Sequence, residues 1–334
     1  VTLSPQLTLV NRMMRNLKSP PYKHNVLRER AEAIYDSRLK ARIDQNKYLI
    51  GFQNGVYDLK LCEFRAGRPE DFIHRRLPIN YRTFNPEDDE VQSIEDFFLK
   101  IFPDKSVRTY FLDVYSDIFV GGNTWKKVFM WIGEEGDNGK TVTQSLVLEK
   151  MLGELNVTMN TQYFTGKKVS AGQANPDLAR AAPPVRSLLC VEANKRERIQ
   201  TGEYKKLSGN DPFWARDLFE KGKQTREVKP MFMFTWVGNK PCEFDDPDQA
   251  TWNRTRVIPF ESVFVRPGDP CPSTLDEQLR QKRFPMDLKF GEKIDSMVEP
   301  LAWYLLEWRK KVTTIIEPPK VLAATEAYRR RNDV

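Results

Sequence analysis

VFMWIGEEGDNGKTVTQS, residues 128–145, passes from an apolar run through a glycine-rich turn into a helical pattern. The run 128–132 is short and bounded by glycine, so it reads as a buried strand. Gly133, Gly136 and Gly139 punctuate the turn, and Lys140 and Thr141 precede a helical pattern over 142–152. Strand, glycine turn, Lys-Thr and helix are the parts of a phosphate-binding loop. The turn needs glycine because its backbone N–H groups must point inward at an anion, and the helix adds the positive end of its dipole. Gly136, Asp137, Asn138, Gly139, Lys140, Thr141 and Thr143 form the expected nucleotide-binding set. Lys140 would sit on the β- and γ-phosphates, and the Thr141 hydroxyl on Mg²⁺. The spacing departs from G-x-x-x-x-G-K-[ST], because the position six before Lys140 is Glu134 and Gly133 comes one residue early. Either the loop is one residue longer or its first glycine is lost. A plain strand-ending turn leaves the Lys-Thr pair unexplained.

Length and composition set wider bounds. The 334 residues allow two or three units, with 40% hydrophobic residues to build a core. A net charge of +7 is a mild basic excess, compatible with an anionic partner such as nucleic acid. Cys62, Cys190, Cys242 and Cys271 are far apart, which argues against a disulfide framework or a cysteine zinc site and for a reducing, intracellular compartment. With only His24 and His74, histidine metal sites and Ser-His-Asp triads have little to draw on. No apolar run reaches the ~18 residues of a membrane span, and no signal peptide opens the chain. The chain lacks an initiator Met, so a piece of a longer protein is expected.

In chain order, residues 1–90 read as an α+β accessory or assembly region. Residues 27–43 favour helix throughout, and 48–59 suggest a hairpin about Gln53-Asn54-Gly55. Residues 91–127 are helical in apolar spacing and end at Gly121-Gly122-Asn123, a helical collar. Residues 128–268 alternate strand and helix signals, an α/β core. Residues 269–334 return to helices.

A nucleotide hydrolase needs an acid near the metal, a polar group that places water, and a cation for the charge that develops in the transition state. Glu192 stands at the end of the apolar run 185–191, on the side of an α/β sheet that faces the ligand crevice. It is the candidate base and, with Thr141, the candidate metal contact. Asn239 ends a second buried run, 231–238, and is the candidate water sensor. Arg254 and Arg256, two apart in WNRTRVIPF (252–260), fall on one side if that segment is extended. Arg254 is the preferred cation, reaching a neighbouring subunit, and Arg256 is its rival. Each of these also has a bland reading, as a strand cap, a turn residue or a surface arginine. Alternation on both sides of Lys221-Gly222-Lys223 suggests a hairpin with lysines at its tip, and Lys167 and Lys168 form a second basic loop. Both fit contact with a DNA backbone that does not read sequence, or simply a solvated turn.

Taken together, this order of parts resembles the superfamily 3 helicases. Specifically, it resembles the helicase module of the primase–helicases of large nucleocytoplasmic DNA viruses, of poxvirus and African swine fever virus type, with phage and plasmid primase relatives. The likeness is carried by NGKT (138–141), NPDLA (175–179), CVE (190–192), KKLSGNDPFWAR (205–216), Gly238-Asn239 and WNRTRVIPF, with NGVYDL (54–59) upstream. The resemblance implies an AAA+-like P-loop NTPase core, a hexameric ring, ATP hydrolysis with Mg²⁺, and 3′→5′ movement on single-stranded DNA at a replication fork. It also implies a viral replication site in the host cytoplasm, and a primase half that lies outside this chain. By the same resemblance, Lys140 and Thr141 are the phosphate and metal residues, Glu192 the acid, Asn239 the sensor and Arg254 the finger. Lys221 and Lys223 fall in the DNA-contacting hairpin, while Lys205, Asp211 and Arg216 fall in a block near the neighbouring subunit's nucleotide. Where the family pairs two arginines, this chain has Asn253-Arg254. The alternatives are a P-loop small-molecule or nucleoside kinase, and a DNA-binding assembly module with a structural ATP site.

Overall fold

The computed structural model describes residues 4–166, 176–191, 197–215 and 226–332. Its contacts divide the chain into residues 1–43 and residues 44–334. The first unit holds α1 (Pro5–Lys18), α2 (Pro20–Ala33) and the short α3 (Leu39–Arg42). The helix expected over 27–43 is broken after Ala33. The reason is local: the Asp36 carboxylate accepts from the backbone N–H of Arg38 at 2.8 Å, a turn bond that competes with helix.

The second unit opens with the expected hairpin. β1 (Leu49–Phe52) and β2 (Gly55–Asp58) run antiparallel, and Phe52 pairs with Gly55 so that Gln53 and Asn54 alone make the turn. β3 (Glu63–Arg65) adds a third strand. The collar consists of α4 (Asp89–Ile101) and α5 (Lys105–Ser116). It stops short of the glycine pair, because a tight turn over Asp117–Phe119 closes α5 first.

Next come β4 (Val128–Ile132), α6 (Lys140–Thr143), β5 (Asn156–Met159), α7 (Gln162–Thr165), α8 (Pro176–Arg180), β6 (Ser187–Val191) and α9 (Thr201–Ser208). β7 (Phe213–Ala215) and β8 (Arg226–Val228) form an antiparallel pair ahead of β9 (Met233–Gly238), α10 (Gln249–Arg254) and β10 (Thr255–Pro259). The chain closes with β11 (Val263–Val265), α11 (Leu275–Gln281), β12 (Arg283–Pro285), α12 (Phe290–Lys311) and α13 (Pro319–Asn332).

Among the described residues, one five-stranded sheet runs β10-β4-β9-β6-β5, and every pairing in it is parallel. The molecule is therefore a mixed α/β fold, and its sheet is buried on both faces. Alternation within the strands explains this. Phe129 and Trp131 enter the core beneath α4, α5 and α12, while Val128 and Met130 enter the opposite core with Phe234, Trp236 and Tyr328. Each fully buried side chain of this size contributes about 1.5–3 kcal/mol. Two buried hydroxyl pairs cross the core: the Tyr115 hydroxyl lies 2.9 Å from the Thr235 hydroxyl, and that of Tyr204 2.8 Å from Thr255. Arg186, 1% exposed, donates to the carbonyls of Leu49, Phe119 and Pro184 and so ties hairpin, collar and sheet together. Burial draws its guanidinium down to about 10.

Candidate active site

The glycine turn leaves the carboxyl end of β4, which lies between β10 and β9 in the sheet, where parallel strands open a ligand crevice. Its geometry answers the question of spacing. A Cβ on Gly133 would lie 2.4 Å from Asn138 Nδ2 and 2.6 Å from the Phe260 carbonyl, so this position admits glycine alone. Gly139, at φ +78°, would press a Cβ to 2.3 Å from Ile101 Cδ1. Gly136 meets nothing within 4 Å. The first glycine is thus Gly133, and the loop carries one extra residue, taken up by a left-handed turn at Asp137, φ 53°.

Asn138 braces the loop from inside. Its amide donates to the carbonyls of Gly133 (3.3 Å) and Glu135 (2.6 Å), and its oxygen accepts from the Lys140 N–H at 3.3 Å. Lys140 is 6% exposed and directs its ammonium at the Gly133 carbonyl, 2.8 Å away. Thr141 is exposed at the head of α6, which continues over Gln144–Lys150 in wider, π-helical turns. Thr143 is fully buried, and its hydroxyl donates to the Gly139 carbonyl at 2.9 Å, so it braces the loop from below. A glycine cradle, a lysine aimed along it and a hydroxyl at the helix head fit a polyphosphate with a divalent cation.

The next two strands in the sheet, β9 and β6, finish at the same level. Gly238 pairs with Ile132, which sets Asn239 immediately beside the start of the loop. β6 ends with Val191 opposite Val237. Glu192 lies outside the described residues, as do Lys167, Lys168, Lys221, Lys223 and Arg216. The stem expected around the lysine tip is present: Phe213 pairs with Val228 and Ala215 with Arg226. Lys205 donates to Asp248 at 2.8 Å. Asp248 caps α10 through the Thr251 N–H, and its bonds to Lys205 and Thr251 hold its carboxyl well below the usual range. Sequence reasoning left Asp248 out, although an Asp three residues before Thr251 is a helix-start signal.

The two arginines do not share an extended segment. Arg254 is the last residue of α10, and Arg256 lies on β10. The capped helix ends where the strand begins, so the two side chains leave different elements. Arg256 is bound within the chain, its Nε 2.7 Å from Glu317. Arg254 Nη1 donates to the Ala250 carbonyl at 3.1 Å, and its buried Nε lacks a partner. Thr255 pairs with Val128 at the start of β4, so Arg254 sits at the amino end of the sheet. The loop starts at the other end, about 13 Å away along the strand rise.

Beside the loop opens a cleft of about 1000 Å³, walled by α4, the loop, Phe264 and the first turns of α12. Nothing in the sequence pattern marked it, because its walls come from segments far apart in the chain.

Residues 9–105 match the family described as D5 N terminal like. The chain is 38% identical to "Putative helicase 022R" of Frog virus 3 (isolate Goorha) across 98% of its own length and 40% of that protein. It is 36% identical to "Putative helicase 184R" of Invertebrate iridescent virus 6 across 99% of its length and 35% of that protein. "Putative helicase L207/L206" of Acanthamoeba polyphaga mimivirus is 31% identical across 97% of this chain and 33% of its own. The chain therefore spans about a third to two fifths of these relatives. Among solved structures, the A form apo structure of the NrS-1 C terminal region aligns with 71% of this chain and 51% of that one, at TM-score 0.47 and 16% identity. No helix among the described residues is long and apolar enough to cross a membrane.

Proposed function

We propose that this chain, which matches the D5 N terminal like family over residues 9–105 and is similar to viral proteins named putative helicases, is the ATP-hydrolysing motor of a superfamily 3 helicase. It would work as a ring, hexameric by that resemblance, moving 3′→5′ on single-stranded DNA at a viral replication site in the host cell. One observation carries the reading. The phosphate loop and Arg254 lie at opposite ends of one parallel sheet, so an arginine acting on phosphate must act on a neighbour's.

In this reading the core is AAA+-like. Loop N–H groups and the Lys140 ammonium hold the β- and γ-phosphates of ATP. Thr141 and Glu192 are the residues that would hold Mg²⁺, which would supply positive charge against the phosphates. Asn239 orients the water, Glu192 takes its proton as the oxygen attacks the γ-phosphorus, and ADP leaves with the bridging oxygen. Arg254 of the adjacent copy neutralises the charge on the transferring phosphoryl group. Lys221 and Lys223, with Lys167 and Lys168, contact the DNA backbone.

Electron microscopy of the protein with a non-hydrolysable ATP analogue and single-stranded DNA tests this. Six-fold rings are expected. A monomer at saturating ligand would overturn the reading, and phosphoryl transfer to a nucleoside by that monomer would establish the kinase instead.

A further inference from the structure

The cleft beside the loop has no role in the phosphate chemistry. Its position follows from the loop itself. Ile101, the last residue of α4, packs so closely on Gly139 that a Cβ there would lie 2.3 Å from Ile101 Cδ1. From that contact α4 runs away from the phosphate end, with Phe97 about 6 Å and Ser93 about 12 Å back along its axis. That is the scale of a ribose and a base extending from phosphates held on the loop.

The opposite wall is tied to the same loop. The backbone N–H of Phe264 donates to the Asp137 carbonyl at 2.8 Å, and its ring edge lies 3.1 Å from where a Gly139 Cβ would be. The ring is partly exposed and lines the cleft. Phe97 and Phe290 stack deeper in, with centroids 5.6 Å apart and planes at 19°. The hydroxyls on these walls are turned away, Ser93 donating to the Asp89 carbonyl and Ser296 to that of Lys293, each at 2.7 Å. The walls also carry charged side chains, of which Lys100 is paired with Asp96 and Lys293 with Asp287, each at 2.6 Å, so the ring of Phe264 offers a ligand flat apolar contact that suits a nucleobase.

We propose that this cleft is the nucleoside pocket of the nucleotide site, with Phe264 as the surface on which the base lies. The assignment rests on the phosphate-loop reading. In consequence, α4 of the collar and α12 of the C-terminal region would both touch the nucleoside, so occupancy is felt outside the sheet.

The test compares two probes by titration calorimetry with Mg²⁺ present: ADP, and inorganic tripolyphosphate, which lacks the nucleoside. Phe264→Ala is expected to weaken ADP about 10- to 100-fold, the size of a base–aromatic stack, and to leave tripolyphosphate within about twofold. Phe264→Trp should retain ADP. Ser93→Trp, which fills the cleft from an exposed position on α4 without touching the loop, should also weaken ADP alone. Tripolyphosphate binding thereby reports that each variant is folded. Unchanged ADP affinity in both Phe264→Ala and Ser93→Trp overturns the pocket, and so does a wild-type protein that binds tripolyphosphate as tightly as ADP. A wild-type protein that binds neither overturns the phosphate-loop reading, and the pocket with it.

Discussion

The carboxyl and amino ends of the five-stranded sheet are built from the same strands and differ in what they carry. At the carboxyl end are the glycine cradle, Lys140 and Asn239, all following directly on strands that finish in register. At the amino end, a capped helix delivers Arg254 just before β10 begins. Parallel strands force this separation. Each strand starts at one end and finishes at the other, so a residue entering a strand cannot meet a loop leaving one. On the proposed function, the contrast means that a complete site needs two copies of the chain, one presenting each end.

Lys140→Ala attacks the carboxyl end and carries the largest expected effect: ATP hydrolysis falls to background. Unchanged turnover in a phosphate-release assay would remove the loop from the mechanism. Arg254→Ala attacks the amino end. Hydrolysis should drop by about 10³-fold or more while ADP affinity is kept, because the cation serves the transition state. Mixing Arg254→Ala with Glu192→Gln subunits should restore part of the ATPase, since some interfaces then combine two intact halves. Absence of rescue at every ratio, with assemblies intact, would break the two-ended scheme.

The next comparison stays within the loop. Gly133→Ala should weaken nucleotide binding by about 10-fold or more, because its methyl must displace Asn138 or the Phe260 carbonyl. Gly136→Ala, with open space around it, should bind as wild type. Equal effects would undo the assignment of Gly133 as the first loop glycine. Smaller still is Arg256→Ala, which removes the nearer partner of Glu317 and leaves Lys127 at 3.7 Å; it should cost about 1 kcal/mol of stability, visible in denaturant melts, and leave the ATPase of the folded protein intact. Last, replacing Lys221 and Lys223 with alanine should weaken single-stranded DNA binding and flatten the log-affinity slope against log-salt by about 1.4. An unmoved slope would take the hairpin out of the DNA interface.

Much of the fold was legible because its signals are local. An apolar run ended by glycine at 128–132 is a strand wherever it packs, and Asn-Gly between two short apolar runs marks a tight hairpin turn. The strand-end positions next to Val191 and Gly238 were legible for the same reason. The helix over 27–43 was misread because one Asp36 side chain offers the backbone a bond that propensity does not count. Arg254 and Arg256 were misread as neighbours on a strand because the Asp248 cap, six residues upstream of Arg254, starts a short helix that runs through Arg254 before β10 begins.

By itself the sequence determined the elements of the core and the chemistry of the loop, since both depend on residues within a few positions of one another. Only the tertiary structure decided which glycine opens the loop, which arginine is bound inside the chain, and that a cleft lies against Gly139. Those answers turn on Asn138 meeting Gly133, Glu317 meeting Arg256, and Ile101 and Phe264 closing on Gly139. Apart from the loop's own closure, these contacts join segments tens of residues apart, and their distances exist only once the sheet has fixed its strand order and register.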